Sequence, residues 1–397
     1  MPPASQLFKS SELDTTGLGT ISVEIHDSFE ALRSDWRKLE SDGVGSLYQR
    51  LDWVEPWTQN VAGPALIEPK LVLGKSADHP IFILPLGLRK RGPFTVATWL
   101  GDSHSNFHMG LFAKSFIQNA RRQDVRDIMD CAIKLMGSVD VLEMCCQPVV
   151  WQGFTNPFTY LDWQESHNHA YALDLSEGFE AAIDRKNGAR KRKKHRWQQN
   201  KLRPVGGPRL LIASSEEEVD AILDTAFQQM AARFDRAGIW NRFEDDGVEN
   251  FIHRVAKSAL GDDEPQLLLY GLEIDGKLRA TLAGGINKGQ FSGAFISLAD
   301  DEYSNISPGE LIIHLVIRDC CERGLHTFDL GRGEERYKSS WCDTTITMFE
   351  TNKAISRWGI GFAIYERSKL SIKRLVRNNQ TTWNFAKKVR ARLYGRM

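Results

Sequence analysis

Two stretches of this chain run through the same order of elements, and that repetition limits its folds more than any single motif does. The first covers 69–74, turns at Asp78-His79-Pro80, continues over 81–88, turns at Arg91-Gly92-Pro93-Phe94 and closes in a loop at 105–110. The second covers 265–270, turns at Asp275-Gly276-Lys277, continues over 278–286, turns at Lys288-Gly289-Gln290-Phe291 and closes at 304–309. Asp-Gly between two apolar runs is a strong hairpin signal. Helical spacing follows each stretch, over 116–136 and 309–323, and then a strand, over 139–144 and 326–330. That order implies a duplicated α/β unit.

The chain has 397 residues, enough for two or three domains. The expected division is a flexible lead over 1–19, a first unit over 20–170, a second over 171–360 and a basic helical tail over 361–397. Formal net charge is zero, so nothing pulls the whole molecule toward nucleic acid or an anionic membrane. The six cysteines, Cys131, Cys145, Cys146, Cys320, Cys321 and Cys342, form no C-x-x-C pair and lie in apolar stretches, as buried small hydrophobes do. His104 and His108, four apart, and His167 and His169, two apart, have no further ligands at metal spacing, and no metal is expected. Residues 103–108 match the loop of the second repeat and could line a pocket in the first unit. No apolar run reaches the ~18 residues of a membrane span. The first 19 residues lack the apolar core of a secretory leader, so a reducing cytoplasm is the expected setting.

The second repeat ends in the densest cluster of chemistry. Ser307-Pro308-Gly309-Glu310 reads as a helix start, with Ser307 as N-cap, Pro308 at the first helical position and Glu310 closing a capping box. Such a start carries roughly half a positive charge and unpaired N–H groups, which attract phosphate. The same residues also suit an ordinary capped helix. The strand over 326–330 runs into Asp329, Gly331, Gly333, Glu334, Glu335, Tyr337 and Lys338. Asp329 is flanked by Phe328 and Leu330, so alternation turns it inward, where its pKa rises. Acyl transfer needs a base, a polarised carbonyl and a proton for the leaving group. Asp329 or Glu335 suits the base, Tyr337 the acid or a binder, and Lys338 an anchor for an anionic group.

The ordered motifs Ser307-Pro308-Gly309-Glu310-Leu311, Phe328-Asp329-Leu330-Gly331 and Tyr337-Lys338-x-x-Trp341 make the chain resemble the GNAT acetyltransferase superfamily in its duplicated form. Trp36–Leu39 and Leu51-Asp52-Trp53 add to the likeness, which spans most of residues 25–350. Within the superfamily it looks like the BioF2-like or CelD-type enzymes of bacterial cellulose and exopolysaccharide synthesis, with FemX-type transferases as cousins. The resemblance implies an α/β (α+β) fold of two tandem GNAT-like units, each a mixed sheet flanked by helices, the first unit degenerate. It implies acetyl-CoA or another acyl-CoA as co-substrate. Ile296, Ser297 and Leu298 would pair with the pantetheine arm, and Ser304, Asn305, Ser307 and Gly309 would cradle the pyrophosphate. One departure stands out: Tyr303-Ser304-Asn305-Ile306-Ser307-Pro308-Gly309 has one glycine where the family loop has two or three, and Pro308 has no N–H. The implied acceptor is a small molecule or glycan, an amino sugar or exopolysaccharide precursor. A FemX-like transferase using aminoacyl-tRNA is the alternative, and an inactive scaffold of the same fold is a third reading.

Two basic stretches stand apart. Residues 185–203 contain no acid and suit a helix over 189–202, ended by Pro204. It fits a phosphorylated acceptor, a nucleic acid such as tRNA, or a merely solvated face. The tail, from Arg367 to Arg396, also has no acid and interleaves Leu370, Leu375, Val376, Trp383, Phe385, Val389 and Leu393. That pattern suits a helix lying on anionic lipid, next to a polysaccharide synthase at the inner membrane face, or one packed on its own domain.

Overall fold

The computed structural model describes residues 9–362 and 364. The chain divides into two compact units, one made of the chain up to His167 together with the segment from Thr347 onward, the other of Asn168–Ile346. Each holds one mixed sheet. In the first unit the strand order is Lys9–Thr15, Gly19–His26, Ile67–Ser76, His79–Arg91, Phe94–Trp99, Val141–Pro148, Met348–Ala354 and Gln164–Glu165, with Leu111–Phe112 on the side of His79–Arg91. In the second it is Arg209–Ile212, Leu268–Ile274, Lys277–Asn287, Gln290–Leu298, Thr327–Arg332, Ala170–Asp174 and Thr344–Ile346. The two sheets repeat one plan. Antiparallel strands lead to a single parallel pair, and two antiparallel strands complete the sheet.

Local chemistry places the turns. Asp275 and Gly276 both take positive φ, 53° and 68°, between Leu268–Ile274 and Lys277–Asn287. Two positive φ angles give the tight turn whose twist matches paired strands. Helix Pro308–Glu322 buries Leu311, Ile312, Val316, Ile317 and Cys320 against one face of the second sheet. Helix Glu216–Ala237 buries Val219, Leu223, Ala226 and Met230 against the same strands. Phe291 and Phe328, both fully buried, stack at 5.2 Å in the core of this unit.

Several expected boundaries move. Residues 9–15 of the expected flexible lead form a strand whose register against Gly19–His26 runs from Lys9↔Ile25 to Thr15↔Gly19. Val23 and Ile25 bury one side of that hairpin, which its polar composition hides. The second unit ends at Ile346 rather than 360, because Met348–Ala354 pairs with Val141–Pro148. The helix expected over 116–136 is two, Lys114–Asn119 and Arg122–Met136. The basic helix spans Gly188–Leu202, close to expectation. The tail lies outside the described residues beyond 364. Cys146, Cys320 and Cys342 are buried, but Cys131, Cys145 and Cys321 are only half-buried. No helix among the described residues is long and apolar enough to cross a membrane.

Candidate active site

Strands Gln290–Leu298 and Thr327–Arg332 run parallel and pair over three positions only, Gln290↔Thr327, Phe291↔Phe328 and Ser292↔Asp329. Beyond Ser292 they part. At the point of parting a Cβ on Gly293 would stand 3.1 Å from the Asp329 carbonyl oxygen, a tight approach that a side chain could keep only if the backbone gave by a few tenths of an ångström. A cavity of about 470 Å³ opens beside the parted strands. Ile296 and Leu298 line it from the strand, Ser307, Pro308, Gly309 and Ile313 from the helix start, and Tyr337 from beyond the second strand.

The loop leading to the helix is tied down. The Ser304 hydroxyl accepts from the Asp301 amide at 2.9 Å, and the Asp301 carboxylate accepts from the Tyr303 amide at 2.9 Å. Buried Arg279 donates to Asp301 at 2.5 Å and stacks under Tyr303 at 4.6 Å. The expected capping box is not formed. Ser307 takes left-handed backbone angles, φ 61° and ψ 64°, and its side chain caps nothing. Its carbonyl instead accepts from the Glu310 and Leu311 amides at 3.1 and 3.3 Å. Glu310 is drawn away to Lys194 at 2.6 Å.

Of the expected cofactor-binding residues, Ile296, Leu298, Ser304, Ser307 and Gly309 reach the cavity. Ser297 and Asn305 are not on its wall. Strand alternation turns the Ser297 hydroxyl the other way, where it meets Thr281 and donates to Gln229, both at 2.7 Å. Asn305 is exposed.

The four expected catalytic residues part company. Tyr337 lines the cavity, and burial pushes its phenol well above its ordinary range, so it stays protonated. Asp329 is fully buried at the last paired position. Burial pushes its carboxyl up to about 7, against the opposing pull of the Gly331 amide at 2.7 Å, the Lys338 charge and Ser292. One carboxylate oxygen, Oδ2, has no hydrogen-bond partner among the described residues. Lys338 does not reach the cavity wall. It is buried, donates to the Gly331 and Arg332 carbonyls at 3.3 and 2.5 Å, and pairs with Glu335 at 3.1 Å. Its donors serve the chain's own turn. Glu335 is mostly solvated.

Other residues at the site were not foreseen. Arg233 and Arg236, on helix Glu216–Ala237, line the cavity with Asp300. They lie ~60 residues upstream in the sequence, and no local pattern marks them. The basic helix packs beside the cavity-lining helix. Gln198 donates to the Ile306 and Ser307 carbonyls at 2.8 and 3.3 Å, and the His195 and His314 rings stack at 4.0 Å. Burial, reinforced by His195, Arg318 and Lys191, takes His314 down to about 3, so it packs uncharged. Lys191 lies over the Trp341 ring at 4.6 Å, and burial takes it down to about 8. The regular stripe 188, 191, 195, 198 and 202 carries this contact and was legible only as a basic run. His104 and His108 are built into the first unit: His104 accepts from the Trp57 indole at 3.2 Å, and His108 contacts the Asp102 carbonyl at 2.9 Å. Among the described residues no cluster of His, Cys, Asp and Glu could hold a metal ion.

Residues 189–339 match the family of acetyltransferase (GNAT) domains. Three solved structures share the fold. FemX aligns with a TM-score of 0.57 at 10% identity, over 81% of this chain and 96% of that one. A conserved protein of unknown function from Bacteroides thetaiotaomicron gives 0.51 at 13% identity, over 81% and 97%. A domain described as the C-terminal part of a putative lysylphosphatidylglycerol synthetase from Agrobacterium fabrum gives 0.52 at 10%, over 84% and 96%. No curated protein matches the chain. The second unit therefore holds the region that matches a GNAT domain, and the protein is an acyltransferase with mixed α/β units of that fold.

Proposed function

We propose that the protein is an acyl-CoA-dependent N- or O-acyltransferase whose donor lies in the cavity where Gln290–Leu298 and Thr327–Arg332 part. The observation that carries this reading is the conjunction in one unit of parted parallel strands, a 470 Å³ cavity lined by one of them, and a buried carboxyl whose pKa is pushed up to about 7. Parted strands leave backbone groups that an extended amide-bearing arm can pair with. The acceptor amine or hydroxyl attacks the thioester carbonyl carbon, and the carbon–sulfur bond breaks. Asp329 takes the acceptor's proton, and Tyr337, kept protonated by burial, gives one to the departing sulfur. Asp329 is not among the residues that line the cavity, so its part as base requires the acceptor, or a water it holds, to reach Oδ2. The solvated, lysine-paired Glu335 fits that part less well. The resemblance of the motifs supports an amino sugar or an exopolysaccharide or cellulose-related precursor as acceptor.

Acetyl-CoA calorimetry on the wild type and on Gly309→Trp tests the reading. A Cβ at Gly309 would already stand 2.9 Å from Leu298 Cδ2, so an indole fills the cavity mouth. Binding by the wild type, lost in a variant with unchanged circular dichroism, is expected. Silence of the wild type toward both acetyl- and long-chain acyl-CoA would sink it.

One observation favours the FemX-like, aminoacyl-tRNA-dependent alternative. Arg190, Lys193, Arg196 and Lys201 are exposed on the helix that packs beside the cavity-lining helix, and none has an ion-pair partner among the described residues. Charged tRNA binding with no acyl-CoA binding would select it. Peripheral contact with anionic membrane from a cytoplasmic location is proposed for the tail, whose approach exposes Trp358, Ile360 and Ile364. Equal liposome co-sedimentation with and without 361–397 would refute that.

A further inference from the structure

The geometry points to Arg233 as the residue that holds the phosphate end of the acyl donor, in place of the loop amides. This rests on the acyl-CoA reading and names a binding residue for it. The helix start cannot hold a pyrophosphate by backbone alone. The Ser307, Glu310 and Leu311 amides already donate to the chain's own carbonyls, and Pro308 has none. Gly309 alone of residues 307–311 keeps an uncommitted N–H, where two phosphates ask for several donors.

The charges on the wall show where the rest comes from. Asp300 and Glu310 both line the cavity and would repel phosphate. Each is neutralised: Asp300 pairs with Arg236, and Glu310 pairs with Lys194 at 2.6 Å. Arg233, one turn earlier on Glu216–Ala237, lines the same cavity and has no ion-pair or hydrogen-bond partner among the described residues. Its charge is felt at the Tyr337 hydroxyl, another wall group. Two acid–base pairs cancel and one guanidinium remains, facing a mainly apolar cavity. Its planar fork of donors fits phosphate in a bidentate manner. It is exposed and lies 5.1 Å over the ring of its neighbour Phe234, with no ion pair or hydrogen bond to the rest of the fold among the described residues.

Calorimetry with acetyl-CoA and with S-acetylpantetheine, which carries no phosphate, tests this on the wild type, Arg233→Ala and Arg233→Lys. Arg233→Ala is expected to lose about tenfold in affinity for acetyl-CoA, the scale of one charged hydrogen-bonding group. Its affinity for S-acetylpantetheine should be unchanged, and Arg233→Lys should recover part of the loss. Equal weakening toward both donors, or none toward acetyl-CoA, overturns the inference and leaves the acyl-CoA reading standing. Failure of the wild type to bind either donor overturns both.

Discussion

In the first unit, strands Phe94–Trp99 and Val141–Pro148 pair in parallel over three positions, ending at Thr98↔Glu143; in the second, the matching strands pair over three and end at Ser292↔Asp329. Past that last pair the two units diverge. In the first unit the chain itself enters the gap. The His108 amide donates to the Cys146 carbonyl at 2.9 Å, His108 stacks on Trp99, and Ser105, Phe107, His108 and Met109 are buried. Of residues 103–108, which could line a pocket by their sequence, 105–108 are buried. The helix after it, Arg122–Met136, is sealed at its start by Asp124, which accepts from the Arg121, Thr16 and Gly17 amides at 2.8, 2.8 and 3.1 Å. The second unit also has an acid two residues into its helix, but Glu310 is turned out to Lys194 and the gap stays open. Glu143, at the position matching Asp329, pairs with Arg89 and Arg91 at 3.4 and 3.0 Å, whereas Asp329 keeps a bare oxygen. A repeated sheet plan can thus keep its hydrogen bonds while one copy gives the gap to core packing and the other leaves it open.

The sharpest break of this comparison is Asp329→Asn set against Glu143→Gln. Loss of a general base costs about 10²–10⁴ in turnover, so Asp329→Asn should fall by that much and Glu143→Gln should not change. Wild-type turnover should rise as pH passes about 7, where Asp329 loses its proton, and the residual activity of the Asn variant should be flat. Stability carries the opposite sign. A carboxyl raised from 3.8 to about 7 by folding contributes stability that is full below pH 3.8 and lost as pH rises through 7. At pH 8 Asp329→Asn should therefore be more stable than wild type, by on the order of 2–4 kcal/mol. Equal turnover losses in the two variants would erase the distinction between the units.

Asp124→Ala comes next in size. Burial alone would raise the Asp124 carboxyl, but the amides of Arg121, Thr16 and Gly17 more than offset it, and its pKa ends below the ordinary value. Its stabilisation is present above pH 3.8 and lost as pH falls through the lower folded value. Thermal unfolding at pH 7 should show a loss of about 1–3 kcal/mol, the cost of stranding buried donors, with donor affinity untouched. A gain of acyl-CoA binding in this variant would mean that Asp124 alone, and not the filled gap, closes the first unit.

The repeat, the Asp275-Gly276 turn, the helix after Ser307 and the inward Asp329 were legible because each is set by neighbours within a few residues. The strand over 9–15 was not, since its pairing partner rather than its own pattern holds it. The surroundings of Lys338 were hidden for a related reason. A lysine shortly after Gly331 and Gly333 looks available in sequence, and only the folded turn shows its ammonium bonded to the Gly331 and Arg332 carbonyls. The wall residues Arg233 and Arg236 come from a helix remote in sequence. The basic run was visible, but that its inner stripe packs on Pro308–Glu322 depends on both helices at once.

The smallest effect separates two roles for Lys194. If it only neutralises Glu310, Lys194→Ala bares a carboxylate at the cavity mouth and weakens acetyl-CoA binding by about two- to fivefold, the worth of a partly exposed ion pair. Glu310→Gln should tighten binding slightly, and the double variant should return close to wild type. Added salt should shrink all three differences, since the pair is 32% and 42% exposed on its two side chains. If Lys194→Ala weakens binding just as much when Gln already stands at 310, the lysine itself touches the ligand. The second unit would then differ from the first not by turning its acid out, but by adding a second cation at the helix start.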